Sequence, residues 1–130
     1  MPDAKAPLAG RTILVVEDNV AIAMELAATL AEAGASVVGP SASVQDAFDR
    51  MADRRIEIAL LDVTLSNDET VFPLADALAA QRIPFVFISG QSSAVMPPRY
   101  RLRTFLNKPY LPADVIQAVL DSLQGEKSGS

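Results

Sequence analysis

The sequence predicts an α/β fold built on a five-stranded parallel sheet, and three observations carry that expectation. Short runs such as Ile13-Leu-Val-Val16, Ile58-Ala-Leu-Leu61 and Phe85-Val-Phe-Ile88 are apolar at consecutive positions, as strands buried on both faces are. Segments with apolar residues at helical spacing separate them, giving βαβαβαβ, an irregular stretch and a final βα, which implies right-handed crossovers. Four polar groups, Glu17-Asp18, Asp62, Ser89 and Lys108-Pro109, follow four of the strands, and the carboxyl ends of strands are where ligands bind in open α/β sheets.

Each element has a local reason. After the first strand, Asn19 suits the N-cap of a helix carrying Ile22, Leu26, Ala27, Leu30 and Ala33, and Gly34 is placed to end it at C′. Ser36 to Gly39 reads as a short strand closed by Pro40. Ser43 can cap a second helix reaching about Arg54, with Val44, Ala47, Phe48 and Met51 on its apolar face, and Ile56 to Leu61 is the third strand. A polar loop from Asp62 to Glu69 precedes a helix over about Val71 to Gln81, striped by Leu74, Ala75, Leu78 and Ala79, with Pro73 in its first turn. Pro84 opens the fourth strand, Thr104 to Leu106 forms the fifth, and Pro112 opens a last helix facing inward through Val115, Ile116, Val119, Leu120 and Leu123. Pro97-Pro98 lies where a further helix would fit. Each proline costs about 3 kcal/mol in a helix interior, so that fourth helix is expected to be short, displaced or missing.

At 130 residues the chain fits one domain, expected over residues 11–124 with flexible tails at 1–10 and 125–130. Half the residues are apolar, enough for a core that must be largely aliphatic, because Trp is absent. The net charge of −5 argues against nucleic acid as a direct partner. The basic stretch Arg99-Tyr-Arg-Leu-Arg103 reads as a solvated loop and, alternatively, as a partner contact. With no Cys and no His, disulfides, thiolate metal sites and imidazole catalysis are excluded. Neither a signal-peptide core nor a span of about 20 apolar residues occurs, so no membrane association and a cytoplasmic location are expected.

An acidic pair, a further Asp, a small hydroxyl and a Lys make a set suited to magnesium and phosphate. At this spacing, from about Arg11 to Leu123, the chain resembles the receiver domain of two-component response regulators. The resemblance implies a flavodoxin-like, doubly wound sheet of order 2-1-3-4-5, which sets the first and third strands side by side at the switch point. It implies Asp62 as phosphoryl acceptor. Mg²⁺ would be bound by Asp18 and Asp62, by Glu17 directly or through water, and by the Thr64 backbone carbonyl. Lys108 and Ser89 would contact the phosphate, Gly90 would leave room for loop closure, and Pro109 would follow a cis bond. Ser89 and Phe105 would be switch residues. Glu17 stands where Asp is more usual, and Ser66-Asn-Asp-Glu-Thr70 replaces the Pro and Gly often found in that loop. Pro73-Leu-Ala-Asp-Ala-Leu78, Ile83-Pro-Phe-Val-Phe-Ile-Ser-Gly90 and Leu106-Asn-Lys-Pro-Tyr110 are similar to a group of alphaproteobacterial single-domain receivers with a Phe-Ala-Thr-Gly-Tyr stretch, where this chain has Phe87-Ile-Ser-Gly-Gln91. That likeness implies a sensor histidine kinase of the HWE or a related class and a downstream protein target as partners, with self-catalysed phosphotransfer and dephosphorylation as the only chemistry.

Other readings stand beside this one. Glu17-Asp18 can simply stabilise a helix N-terminus. The same fold can serve as a phosphate-independent adapter. A dehalogenase-like phosphatase would need an acid where Thr64 stands, and a flavodoxin would need a phosphate-cradling loop where Glu17-Asp18-Asn19 would repel phosphate.

Overall fold

The computed structural model describes residues 6–63, 65, 70–90, 97–100 and 105–127. The elements are β1 (Thr12–Val16), α1 (Val20–Glu32), β2 (Ser36–Ser41), α2 (Val44–Asp53), β3 (Ile58–Asp62), α3 (Phe72–Ala80), β4 (Phe85–Ser89), a 3₁₀ turn (Pro98–Tyr100), β5 (Phe105–Asn107) and α4 (Pro112–Lys127). All four strand pairings are parallel, and the sheet order is β2-β1-β3-β4-β5, as the resemblance implied.

The consecutive apolar runs are explained by two cores, one on each sheet face. Leu14, Val16, Ala59, Leu61, Phe85 and Phe87 point to the side covered by α2 and α3. Their neighbours Ile13, Val15, Ile58, Leu60, Val86 and Ile88 point to the side covered by α1 and α4. Alternation of side chains along a strand makes every position a core position when both faces are covered. Asn19 caps α1 by accepting from the Ile22 amide, and Ser43 caps α2 by accepting from Asp46. Gly34 follows α1 with φ +100°, the left-handed conformation that a side chain opposes.

Four expectations need correction. Of the expected N-terminal tail, residues 6–10 are described and are not loose: Leu8 is fully buried in the α1–α4 core, and its amide donates to Ala33 O at 2.8 Å. A single leucine among prolines and alanines has no periodicity, so its burial, in the core that α1 and α4 form on the sheet, could not be read locally. β2 does not stop at Pro40 but continues through a cis Gly39-Pro40 bond to Ser41. It is the edge strand, where a residue without an N–H leaves no ladder partner unsatisfied. β3 starts at Ile58 rather than Ile56, and α4 runs on to Lys127, past the boundary expected at residue 124. Among the described residues the connection from β4 to β5 contains only the Pro98–Tyr100 turn. Residues 91–96 and 101–104, including Thr104, lie outside the described residues.

Candidate functional site

The strand order brings the polar strand ends together because β1 and β3 are direct neighbours and β4 and β5 follow on one side. Glu17 and Asp18 leave β1, Asp62 ends β3, Ser89 ends β4, and Lys108 leaves β5. With Gly90 they line a cleft of about 410 Å³. Glu17, Asp62 and Ser89 are the buried polar members, at 2%, 5% and 3% exposure, so this end of the sheet holds charge out of water. The backbone fixes them: Glu17 N donates to Ser41 O at 2.9 Å, Val63 N to Ile88 O at 2.9 Å, and Lys108 N to Ser89 O at 3.0 Å. The Lys108-Pro109 bond is cis, as the resemblance implied.

Lys108 is the hub. Its Nζ donates to Asp62 Oδ2 at 3.2 Å and lies 3.1 Å from Glu17 Oε1. The other Glu17 oxygen accepts from the Asn19 amide at 3.2 Å. Oxygens of Glu17, Asp18 and Asp62 all fall within 4.8 Å of one another. One ammonium thus faces three carboxylates, and the pKa shifts express the imbalance. Burial, and then the hydrogen bond and charge of Asp62, push Glu17 up to about 7. Burial also works against the Lys108 charge, but Asp62 and Glu17 together outweigh it and hold the ammonium above its ordinary value. Tyr110, half-buried beside the cluster, is pushed up to about 12 by burial and by the charges of Glu17, Glu25 and Asp62. Such a site has a deficit of positive charge and a set of hard oxygen donors, which fits a small divalent cation such as Mg²⁺.

The structure therefore brings Glu17, Asp18, Asp62, Ser89 and Lys108 to one cleft. Thr64 and residues 66–69 lie outside the described residues. A β-carbon at Gly90 would sit 3.8 Å from Lys108 Cβ and Cδ, an ordinary contact, so in this state the glycine is not needed to avoid a clash. Phe105 is half-buried, with its ring 5.7 Å from that of Phe87. Sequence reasoning missed the Asn19 amide and the Ser41 carbonyl as the groups that position Glu17. Nothing in Gly39-Pro40-Ser41 signals that role. It also missed Tyr100, which is 3% exposed and packs against Phe72, Phe85 and Phe87. The Tyr100 hydroxyl donates to Asp76, which also accepts two hydrogen bonds from Arg99 at 3.1 Å. Arg99 is thus engaged within the chain; Arg101 and Arg103 lie outside the described residues.

No protein-family model matches the chain. The solution structure of SdrG from Sphingomonas melonis Fr1 superposes with a TM-score of 0.77 at 40% identity, covering 88% of this chain and 96% of that one. The response regulator PhyR from Brucella abortus gives 0.81 at 19% identity, over 95% of this chain and 52% of that one. A CheY-like receiver domain protein from Methanospirillum hungatei JF-1 gives 0.78 at 20%, over 92% and 98%. At these lower identities the likeness shows the fold alone. The transcriptional regulatory protein PdtaR of Mycobacterium tuberculosis is 29% identical over 121 residues, or 90% of this chain, which spans 57% of that protein's length. The 40% identity to SdrG over nearly the full length of both chains, with the strand order and the strand-end cluster, places the chain in the receiver-domain family of response regulators.

Proposed function

We propose that the chain accepts a phosphoryl group on Asp62 from a sensor histidine kinase, of the HWE or a related class, and signals the change through contacts with a downstream protein in the cytoplasm. The observation that carries this reading is Lys108 Nζ at 3.2 Å from Asp62 Oδ2, in a cleft where three carboxylates cluster. Asp62 is buried up to its tip, so its oxygen meets the donor in a site of reduced water content, where the Lys108 charge is little screened. An Asp62 oxygen attacks the phosphorus of a phosphohistidine, the N–P bond breaks, and the imidazole leaves with its electron pair and takes a proton from solvent. Lys108 then exchanges part of its contact with Asp62 for a phosphate oxygen, and Ser89 donates its hydroxyl to another. Glu17, Asp18 and Asp62 would hold Mg²⁺, with the Thr64 carbonyl completing the protein share, and the ion would supply the positive charge that the incoming phosphate requires. Phosphorylation adds about −1.5 to −2 charges at Asp62, and Ser89 and Phe105 relay that change to the surface.

The test is the intact mass of the wild type and of Asp62→Asn after incubation with acetyl phosphate and Mg²⁺. One phosphoryl adduct on the wild type, absent from Asp62→Asn and lost with EDTA, is the expected result. No adduct from acetyl phosphate or from any histidine kinase, together with no Mg²⁺ binding, would overturn the reading in favour of a phosphate-independent adapter.

A further inference from the structure

The opposite end of the sheet carries a second cleft with contrary chemistry. It has a volume of about 450 Å³, is rimmed by Arg11, Arg54, Arg55 and Arg82, and is floored by Met51, Ile56, Ile83 and Pro84. Arg11 precedes β1 and Glu17 follows it, so six residues of extended chain, about 20 Å, separate this cleft from the acidic one. Four of the chain's eleven Lys and Arg residues meet here, in a chain whose net charge is −5. The cleft's single acid, Glu57, is already used: it pairs with Arg11 at 3.1 Å and accepts from the Thr12 amide at 3.1 Å. Arg54 donates to Ser36 Oγ at 3.4 Å, while Arg55 and Arg82 make no ion pair or side-chain hydrogen bond among the described residues. Both are exposed.

Arg82 adds an independent observation. Its φ is +61°, the left-handed region, where glycine or asparagine is the usual choice after a helix. The turn ending α3 needs that conformation, because Arg82 N donates to Ala79 O and Ile83 N to Leu78 O. A long cationic side chain at a position that favours no side chain points to a use for the charge. The bland use is the helix end: Arg54 is the C-cap of α2 and Arg82 follows the C-cap of α3, where cations favour the dipole. That account leaves out Arg55 and the apolar floor.

We propose that this cleft docks an acidic segment of a protein partner, one that carries apolar side chains between its carboxylates. Guanidinium forks match carboxylates in geometry, and the Met51, Ile56, Ile83 and Pro84 floor takes the apolar residues. Because the protein as a whole repels acidic peptides, binding there depends on the local patch, and the site lies far enough from Asp62 to be filled in either phosphorylation state.

The probe is a fluorescein-labelled Glu-Glu-Leu repeat peptide, titrated with the full chain in fluorescence anisotropy and mapped by amide shifts. Binding that weakens with salt, with shifts at residues 54–57 and 81–84, is expected. Arg55→Gln and Arg82→Gly should each weaken it by about threefold. Arg82→Gly also separates the two accounts: it fits the left-handed turn, so it should keep or raise the melting temperature while losing affinity. No binding, with a lowered melting temperature, would reduce the arginines to helix-end charges. Shifts elsewhere, or affinity unchanged in both variants, would refute the cleft. Displacement of the peptide by ATP from the same residues would make it a small-anion site and overturn the assignment to a protein segment.

Discussion

Replacing Glu17 with Gln is expected to stabilise the metal-free protein above neutral pH and to leave its stability nearly unchanged near pH 4. Glu17 is buried with its side chain fully out of water, and its pKa rises from 4.5 to about 7, first through burial and then through Asp62. At 1.36 kcal/mol per pH unit, ionising it in the folded state costs about 3 kcal/mol, with the attraction of Lys108 already included. The sign follows from linkage. The folded chain binds the Glu17 proton more tightly than the unfolded chain does, so protonation favours folding. The penalty is absent below about pH 4.5, grows as pH rises, and is complete above about pH 7. Gln cannot ionise and keeps an oxygen that can accept from Asn19, so it escapes the penalty. Urea denaturation in EDTA from pH 4 to pH 8, for wild type and Glu17→Gln, should show a gap opening to about 3 kcal/mol in favour of the variant. Mg²⁺ should close the gap from the wild-type side, because a ligand that binds only the folded state stabilises it. A variant less stable than the wild type at pH 8, or a gap independent of pH, would show that Glu17 carries no penalty for a buried charge.

Other outcomes follow from the packing. Leu8→Ala should destabilise the chain by about 2–5 kcal/mol in urea denaturation, whereas a residue in a loose tail would give no change. Tyr100→Phe keeps the ring among Phe72, Phe85 and Phe87 but removes the hydroxyl bonded to Asp76, and should cost about 1 kcal/mol by the same assay. Gly39→Ala should lower the melting temperature, because φ is +98° and the new carbon would lie 2.9 Å from Val15 O and 2.7 Å from Ser41 N.

Much of the fold was legible because its determinants are local. Runs such as Ile58-Ala-Leu-Leu61 and caps such as Asn19 and Ser43 act over a few residues, and the two sheet faces impose consecutive apolar positions wherever a strand is central. The acidic cleft was legible for a related reason: once strand ends are known, topology alone brings Glu17, Asp18, Asp62, Ser89 and Lys108 together. What escaped depends on contacts between distant segments. Leu8 is buried where the chain before β1 meets the end of α1, in a core shared with α4. Tyr100 reads as part of a basic loop until the structure sets its ring against three phenylalanines and its hydroxyl on Asp76. Pro40 reads as a stop signal, yet an edge strand tolerates it. The arginine cleft is assembled from a residue before β1, the end of α2 and the turn after α3, which no single window of sequence contains.

Locating the phosphoryl group decides whether Asp62 is the acceptor. Borohydride reduces an acyl phosphate to an alcohol, so an aspartyl phosphate becomes homoserine. The chain, phosphorylated by acetyl phosphate in Mg²⁺, would be reduced with borohydride, digested and mapped by mass. Homoserine at position 62 alone is the predicted result. Conversion at Asp18 or another acid, or a borohydride-resistant phosphate on Ser89, would contradict Asp62 as the acceptor.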